Sequence, residues 1–465
     1  MKQPREWGAV MLRSQGDGRR TLRRNSSVKI GLAMAMVTGA SLVSAVAGAS
    51  SKVTNLTIWN DPLAAGSQGI PASKSFLTKG VALFEKAYPN IHVKILQEPF
   101  GSSTEFNTLL QSSELAGTAP DIGQMYVGGQ VIQNAKYLVP LNKVLGQSFI
   151  DSLTGWQFVT KGYKLHGTVY AVPYGAGYYY TVFYNKKLFA KAGVTGPLPT
   201  TWEAMVTMAK KIKAKGITPF EFGEKEGYFG AWTLDSLISG LGGNDGVLAM
   251  FNGKQSLNAP LLIKPYTAWH GLFASGLTNS NAATLTYTTG VAKFAAGQAA
   301  MTITGQYYDD QITKGLGSKN VGLFPVPLLK GSKYPTSLSG GPNNSYVIFK
   351  TSKNVSAAVK LIKFLTSPQV QGLSVQELGQ LPNNVSFKAD KAFAAAQPLL
   401  TDLSNYINTR HYLLFEAFDN VMPGSIDSYW YQTNNGVFSG ALSPQSAAAS
   451  MQNQMSQYLA TAATG

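Results

Sequence analysis

The residue types that carry out most protein chemistry are thin in this sequence. Its four histidines, His92, His166, His270 and His411, lie far apart, and none has a metal-type partner at helical spacing, so each reads as an ordinary surface or core histidine. Cysteine is absent, which excludes disulfides, thiolate zinc sites, iron–sulfur clusters, cysteine nucleophiles and a lipid-modified lipoprotein cysteine behind a leader. There is no G-x-S-x-G elbow, no phosphate-cradling G-x-x-x-x-G-K-[ST] and no calcium loop. Gly240, Gly242, Gly243 and Gly246 read as a turn around Asn244-Asp245 rather than a nucleotide loop. Two acids from distant segments suffice for a glycosidase, and Asp309-Asp310 with Glu224/Glu226 are the candidates for that reading. The residues point to no catalytic constellation, metal or cofactor, so binding ranks ahead of an enzyme.

Aromatic residues at turns and strand ends are the more telling feature. Trp59, Tyr126, Tyr174, Tyr178, Tyr228, Trp232, Tyr307 and Trp430 each sit beside Gly, Pro, Asn or Asp, or at the edge of an apolar run. Rings so placed can stack on the apolar face of a sugar while a hydroxyl or indole N–H bonds its edge. Any one of them alone is core packing at least as readily.

The elements that must position these rings alternate. From Val53 short β-rich runs take turns with amphipathic helical runs, which argues for α/β layers. Val53 to Asn60 is a strand, and Phe76, Leu77, Gly80, Val81, Phe84 and Ala87 share one face of the helix that follows. Ile91 to Leu96 is a second strand, Phe106, Leu109, Leu110 and Ser113 trace the next helix, and a third strand follows Pro120. In Pro199-Thr200-Thr201-Trp202-Glu203 the spacing predicts a helix start, with Thr200 as cap and Glu203 reaching back to it. Trp202, Met205, Ala209 and Ile212 form that helix's buried stripe, and Gly216 ends it. Further strands read at Tyr180 to Tyr184, Met301 to Thr304, Val321 to Val326 and Tyr346 to Phe349, and helices at Val355 to Leu365 and from Ser443-Pro444 to Leu459. No repeat of solenoid length appears, and no long Pro- or Ser-rich linker, so any lobes are joined by short hinges.

At 465 residues the chain exceeds the size at which one core keeps growing, and two domains are expected. Charged residues make up 13%, with 23 acidic against 39 basic, well below the usual share of about a quarter. An acidic exterior, where carboxylates protonate, is one environment that suits this composition. The first 49 residues carry part of the basic excess: Arg19, Arg20, Arg23, Arg24 and Lys29 precede a mostly apolar run from Ile30 to about Val46, and Ala45, Ala47 and Ala49 follow. This is the pattern of a cleaved export signal rather than an uncleaved anchor, and Arg19-Arg20 raises twin-arginine export. Removal of residues 1–49 lowers the formal charge from +16 to +10. The remaining lysines are scattered, which argues against a nucleic acid partner.

In order along the chain, Leu56-Thr-Ile-Trp-Asn60, Phe84-Glu-Lys-Ala-Tyr-Pro-Asn-Ile91, Ala119-Pro-Asp-Ile122, Val169-Tyr-Ala-Val-Pro-Tyr174, Phe183-Tyr-Asn-Lys186, Pro199-Thr-Thr-Trp-Glu203, Phe294 to Met301 and Gly340-Gly-Pro-Asn-Asn-Ser345 resemble the motifs of the extracellular solute-binding proteins of ABC importers, the family that includes maltodextrin binders. The resemblance runs from about Val53 to the C-terminus. It implies a monomeric, two-lobed periplasmic-binding-protein-like fold with three hinge crossovers and a ligand cleft between the lobes. The expected division is a signal peptide over 1–49, lobe 1 over 53–176 and 345–405, and lobe 2 over 177–340 and 406–465. Hinges are expected near Gly175 to Gly177, Gly340 to Asn344 and after Leu400.

Carried over residue by residue, the resemblance puts Trp59, Asn60 and Asp61 after the first strand as ligand contacts, and Tyr126 after the third, with Met125 in the nearest position. Glu226-Gly-Tyr-Phe229 is similar to a Glu-Pro-Tyr-Phe segment, giving Tyr228 as a stacking ring and Glu226 as a hydrogen-bonding group. Gly305-Gln-Tyr307 is similar to a Gly-Pro-Trp segment, and Met422-Pro423 through Tyr429-Trp-Tyr431 to one that carries a stacking Trp, giving Tyr307 and Trp430. Tyr178, Trp232 and the hinge residue Gly341 complete the expected site. Val127, Gly128 and Gly129 stand where maltodextrin is clamped by charged residues, so maltose specificity is not implied. The implied function is capture of a sugar or oligosaccharide for a permease, outside the cytoplasm. Glycerol phosphate or a peptide is the alternative ligand, although an anion needs convergent Arg or Lys that the motif positions lack.

Overall fold

The structure is a computed structural model, and it describes residues 53–60, 71–97, 103–160, 167–175, 177–342, 344–422 and 424–464. The expected leader, Asp61 and His166 lie outside the described residues, as does the side chain of Tyr178. In chain order the strands are β1 (Thr54–Asn60), β2 (Ile91–Gln97), β3 (Ile122–Tyr126), β4 (Ala171–Pro173), β5 (Tyr178–Tyr179), β6 (Thr181–Asn185), β7 (Met301–Thr304), β8 (Val321–Pro325), β9 (Ser337–Gly341), β10 (Asn344–Ile348) and β11 (Leu413–Glu416).

Two hydrophobic cores organise them. The first is built on the sheet β2-β1-β3-β10-β4, where β1 runs parallel to β2 and β3 while β10 runs antiparallel to β3 and β4. Helices cover it. In the helix Phe76–Ala87, Ser75 caps by accepting from the Thr78 N–H at 3.2 Å, and Phe76, Leu77, Gly80, Val81 and Phe84 are buried, while Ala87, the last helical residue, is exposed. The helix Val355–Leu365 adds Ala358, Val359, Leu361, Ile362 and Leu365 to the same core. The second core gathers β6, β7 and β8 with the long helices Tyr228–Phe251, Pro260–Ala274, Gly424–Ser439 and Pro444–Thr464.

Three local expectations change. In the helix Trp202–Lys213 the cap is Thr201, which accepts from Ala204 N–H at 3.3 Å, not Thr200. Glu203 does not reach back, because its carboxylate accepts from the Lys330 N–H on a neighbouring segment. Residues 240–246 are not a free turn but lie inside the helix Tyr228–Phe251, which kinks at Gly243 with φ 62° and ψ −175°. A Cβ there would meet the Tyr334 ring at 2.7 Å, so only glycine fits both the angle and the space. Finally, Phe387, Phe393, Leu399, Leu400, Leu403 and Ile407 pack into the second core, so this stretch belongs with lobe 2 and not with lobe 1 as the 345–405 boundary has it. The apolar pattern of these residues fits a helix in either lobe; only the neighbours they meet decide.

The chain passes between the cores at Tyr174–Tyr179, at Gly341–Asn344 and at Leu378–Leu381, the last well before the expected hinge after Leu400. These crossings hold one another. Tyr178 pairs with Gly341, the Leu381 N–H donates to Gly177 O at 3.0 Å, and β5, β9 and β11 form a small sheet of their own. Gly177 has φ 102°, and a Cβ on it would lie 1.5 Å from the Gly341 carbonyl oxygen, so glycine is obligatory where two of the crossings touch.

Candidate functional site

The sheet of the first lobe supplies one wall. By register Asn60, Gln124 and Tyr346 share a face of neighbouring strands, as do Tyr126 and its cross-strand partner Asn344. Asn60 Nδ2 donates to Gln97 Oε1 at 2.8 Å, while its Oδ1 and both amide atoms of Gln124 and of Asn344 are buried without a hydrogen-bond partner among the described residues. Tyr126 is partly exposed at the end of β3, its N–H donating to Gln130 Oε1 at 2.7 Å. Trp59 does not present a platform. It is buried in the first core with its ring 5.4 Å from Phe349, because β1, flanked by parallel β2 and β3 inside the sheet, has Ile58, Trp59 and Asn60 enclosed on either side in turn. Tyr174 is likewise buried, 4.5 Å from Tyr346.

The opposite wall is aromatic. Tyr228 and Trp232, one helical turn apart on Tyr228–Phe251, stack with centroids 6.4 Å apart, and Trp232 stacks on Tyr180 at 5.9 Å. Tyr228 meets Tyr287 at 5.1 Å and Tyr431 at 4.8 Å edge-on, and Tyr307 meets Trp232 at 5.8 Å. Tyr307 packs against both hydrophobic cores, which puts this ring cluster at the junction of the lobes. Glu226 accepts from the Tyr287 N–H at 3.0 Å and so fixes the segment that carries that ring. Gly341 sits at the crossing with φ 107°, and Tyr178 pairs with it through the backbone.

Trp430 is elsewhere. It is 0% exposed, between Phe418 at 4.9 Å and Tyr266 at 5.7 Å in the second core. On the helix Gly424–Ser439 the buried residues Ile426, Trp430, Thr433 and Val437 recur at steps of four, three and four, a stripe that turns Trp430 inward and Asp427 and Tyr431 toward the aromatic wall. That spacing is present in the sequence and is the signal that separates the two neighbouring rings.

Acids that no motif marks complete the wall. Tyr431 OH donates to Asp419 Oδ2 at 3.2 Å, and Asp235 and Asp427 lie close to Asp419. Burial first, then the charge of Asp419, holds the carboxyls of Asp235 and Asp427 well above the usual range. Burial, with Tyr287 and the carboxylates around it, pushes the Tyr228 hydroxyl up to about 12. The helix Phe418–Val421, which bears Asp419, packs against Gly129–Asn134 of the first lobe.

The acids considered for hydrolysis do not form an exposed pair. Glu224 is fully buried, accepts from the Gly230 N–H at 2.9 Å, and is held well above the carboxylate range by desolvation. Asp309 is buried while its neighbour Asp310 is on the surface with Lys314. His270 Nδ1 lies 2.9 Å from Val437 O, a structural contact, and no group of three or more metal-type ligands occurs among the described residues. No helix among them is long and apolar enough to cross a membrane.

The sequence matches the family described as bacterial extracellular solute-binding protein over residues 68–372. The chain belongs to this family. Among other solute-binding proteins, it is 24% identical over 324 residues to an uncharacterized ABC transporter extracellular-binding protein of Pyrococcus horikoshii, covering 69% of this chain and 71% of that one. It is 26% identical over 301 residues to the multiple sugar-binding protein of Streptococcus mutans, covering 63% and 68%. Its fold superimposes on a chitin oligosaccharide binding protein with a TM-score of 0.74 at 25% identity, over 88% of this chain and 99% of the other. The two-lobed α/β fold of the solute-binding proteins is therefore that of this chain.

Proposed function

We propose that this solute-binding protein captures a sugar or oligosaccharide in the cleft between its lobes by hinge closure and delivers it, chemically unchanged, to the permease of an ABC importer. The observation that carries the reading is the wall of Tyr228, Trp232, Tyr287, Tyr307 and Tyr431, backed by Glu226 and Asp419, at the junction of two lobes joined by three crossings. Rings offer stacking faces and carboxylates accept from hydroxyls, the division of labour a saccharide needs. The names of the Streptococcus mutans relative and of the chitin oligosaccharide binder support it. Export through the leader at 1–49, a mature chain that starts near Ser50 and works as a monomer outside the cytoplasm, and the absence of turnover are parts of the same proposal. On the lobe 1 side Asn60, Asp61, Tyr126 and Tyr178 remain proposed contacts, together with Gly341.

A melting-temperature screen of the mature chain against mono- and oligosaccharides tests it, since a ligand at 100 times its Kd adds about 2.7 kcal/mol of stability. A saccharide that stabilises the protein must also compact it in solution scattering. Stabilisation without compaction refutes hinge closure, and release of reducing sugar by the purified protein refutes a purely binding role.

A further inference from the structure

Gln306, just beyond β7, is 1% exposed, and its side chain closes the outer edge of the small sheet in which the crossings meet. In the antiparallel pair of β5 and β9, alternate residues turn their backbone groups to opposite sides. The Tyr180 N–H donates to Ser339 O at 2.9 Å on the β9 side, so Gly177 and Tyr179 present theirs to the other. There Gln306 Oε1 accepts the Tyr179 N–H at 2.7 Å, and Nε2 donates to Thr181 Oγ1 at 3.1 Å. The Leu381 N–H donates to Gly177 O along the same edge. Gly379 of the third crossing has φ 65°, and a Cβ on it would lie 2.6 Å from the Gln306 carbonyl oxygen. One residue thus touches the first and third crossings directly and the second through its pairing with Tyr179.

Gln306 also adjoins the aromatic wall. Tyr307 follows it in sequence, Tyr180 follows Tyr179, and Trp232 meets both rings, at 5.8 and 5.9 Å. Thr181 and Thr304 pair across β6 and β7, so Gln306 is carried by the sheet of the second lobe. Its amide attaches Tyr179 to that lobe and confines rotation of the first crossing to the residues before Tyr179. An apolar side chain of the same length would leave the buried Tyr179 N–H without an acceptor and the Thr181 hydroxyl without its donor.

We propose that Gln306 is the positioning residue that couples the ring wall to the hinge. It fixes the second-lobe end of the first crossing between the rings of Tyr180 and Tyr307, so a saccharide seated against Trp232 and Tyr307 bears on the point about which the lobes turn. The proposal rests on the reading of saccharide capture by hinge closure above. Without the two amide bonds the rings still bind, but binding no longer drives full closure.

The test compares the mature protein with Gln306→Met, which keeps the length and removes both bonds, and Gln306→Glu, by calorimetric titration and solution scattering at pH 5. The probe is whichever of chitotriose, xylotriose and maltotriose stabilises the parent most. Gln306→Met is expected to bind it about tenfold more weakly, the scale of one or two buried hydrogen bonds, and at saturation to lose most of the parent's compaction. Gln306→Glu is expected to restore both, because a buried, protonated carboxyl offers one acceptor and one donor as the amide does. A Gln306→Met protein that melts earlier without ligand yet compacts like the parent at saturation overturns the proposal, since the residue then serves stability alone. If Gln306→Met does not fold, Thr181→Val, which removes only the Nε2 bond, takes its place against Thr181→Ser, and equal compaction of the two overturns the proposal. If the parent binds the probe without compacting, hinge closure falls and this proposal with it; if no saccharide binds the parent, the saccharide reading falls as well.

Discussion

Replacing Trp430 by alanine separates a core residue from a ligand platform. The side chain is 0% exposed and wedged between Phe418 and Tyr266, so the whole ring is removed from a packed interior. A buried aromatic of this kind covers about 150 to 250 Å². At about 25 cal/mol per Å² that corresponds to roughly 4 to 6 kcal/mol, and large-to-small substitutions of Trp cost about 3 to 5 kcal/mol after partial relaxation. We expect Trp430→Ala to lose about 3 to 5 kcal/mol in urea unfolding, and Trp430→Phe markedly less, with ligand affinity of the folded fraction close to that of the parent. Unfolding curves and calorimetric titrations of the same preparations measure the two effects. A Trp430→Ala protein that unfolds at the parent's urea concentration but has lost its ligand refutes the assignment to the core.

Thr201→Ala should cost about 1 kcal/mol and Thr200→Ala close to nothing, because only Thr201 accepts the Ala204 N–H; paired urea midpoints check this. Gly177→Ala should destabilise by about 2 kcal/mol or more, since alanine resists φ 102° and its Cβ would strike the Gly341 carbonyl; a melting curve decides, and an unchanged midpoint contradicts the packing of the crossings. Glu224, Asp235, Asp309 and Asp427 are all held above the usual carboxylate range by burial. The folded state therefore binds protons more tightly than the unfolded chain, so their contribution is complete at acid pH and fades as pH rises through the raised values. Melting temperature should fall from pH 5 toward pH 8, and Glu224→Gln should flatten the slope; a melting temperature that climbs over this range refutes the direction.

What the sequence revealed was local. The helix Val355–Leu365 and β7 lie where periodicity put them, because an apolar stripe or a short β-branched run specifies its own element whatever packs on it. The order of motifs carried the two-lobed fold and pointed to the segment 226–229, whose Tyr228 lies in the ring cluster. Thr201 in place of Thr200 is a one-residue difference between two equally good caps, settled when Glu203 is drawn off to Lys330. Trp59 misled because an aromatic at a strand end looks the same whether or not a helix covers it. The acids Asp235, Asp419 and Asp427 were illegible because they come from three helices spread over 193 positions and meet only in the folded chain. The lobe that claims Phe387 to Ile407 is likewise a matter of which neighbours arrive.

The position of β10 sets a timetable for the nascent chain. It is the strand between β3 and β4, yet it lies more than 160 residues beyond β4, so the sheet keeps an open seam until translation has passed Ile348. The other core waits longer, because Met451 and Met455 of the last helix are buried in it. Backbone groups facing that seam have no partner until then, and early contacts between distant segments are slow to form. Neither lobe can close while most of the chain is still being made. The interleaving thus delays the closing of both lobes until the chain is nearly complete.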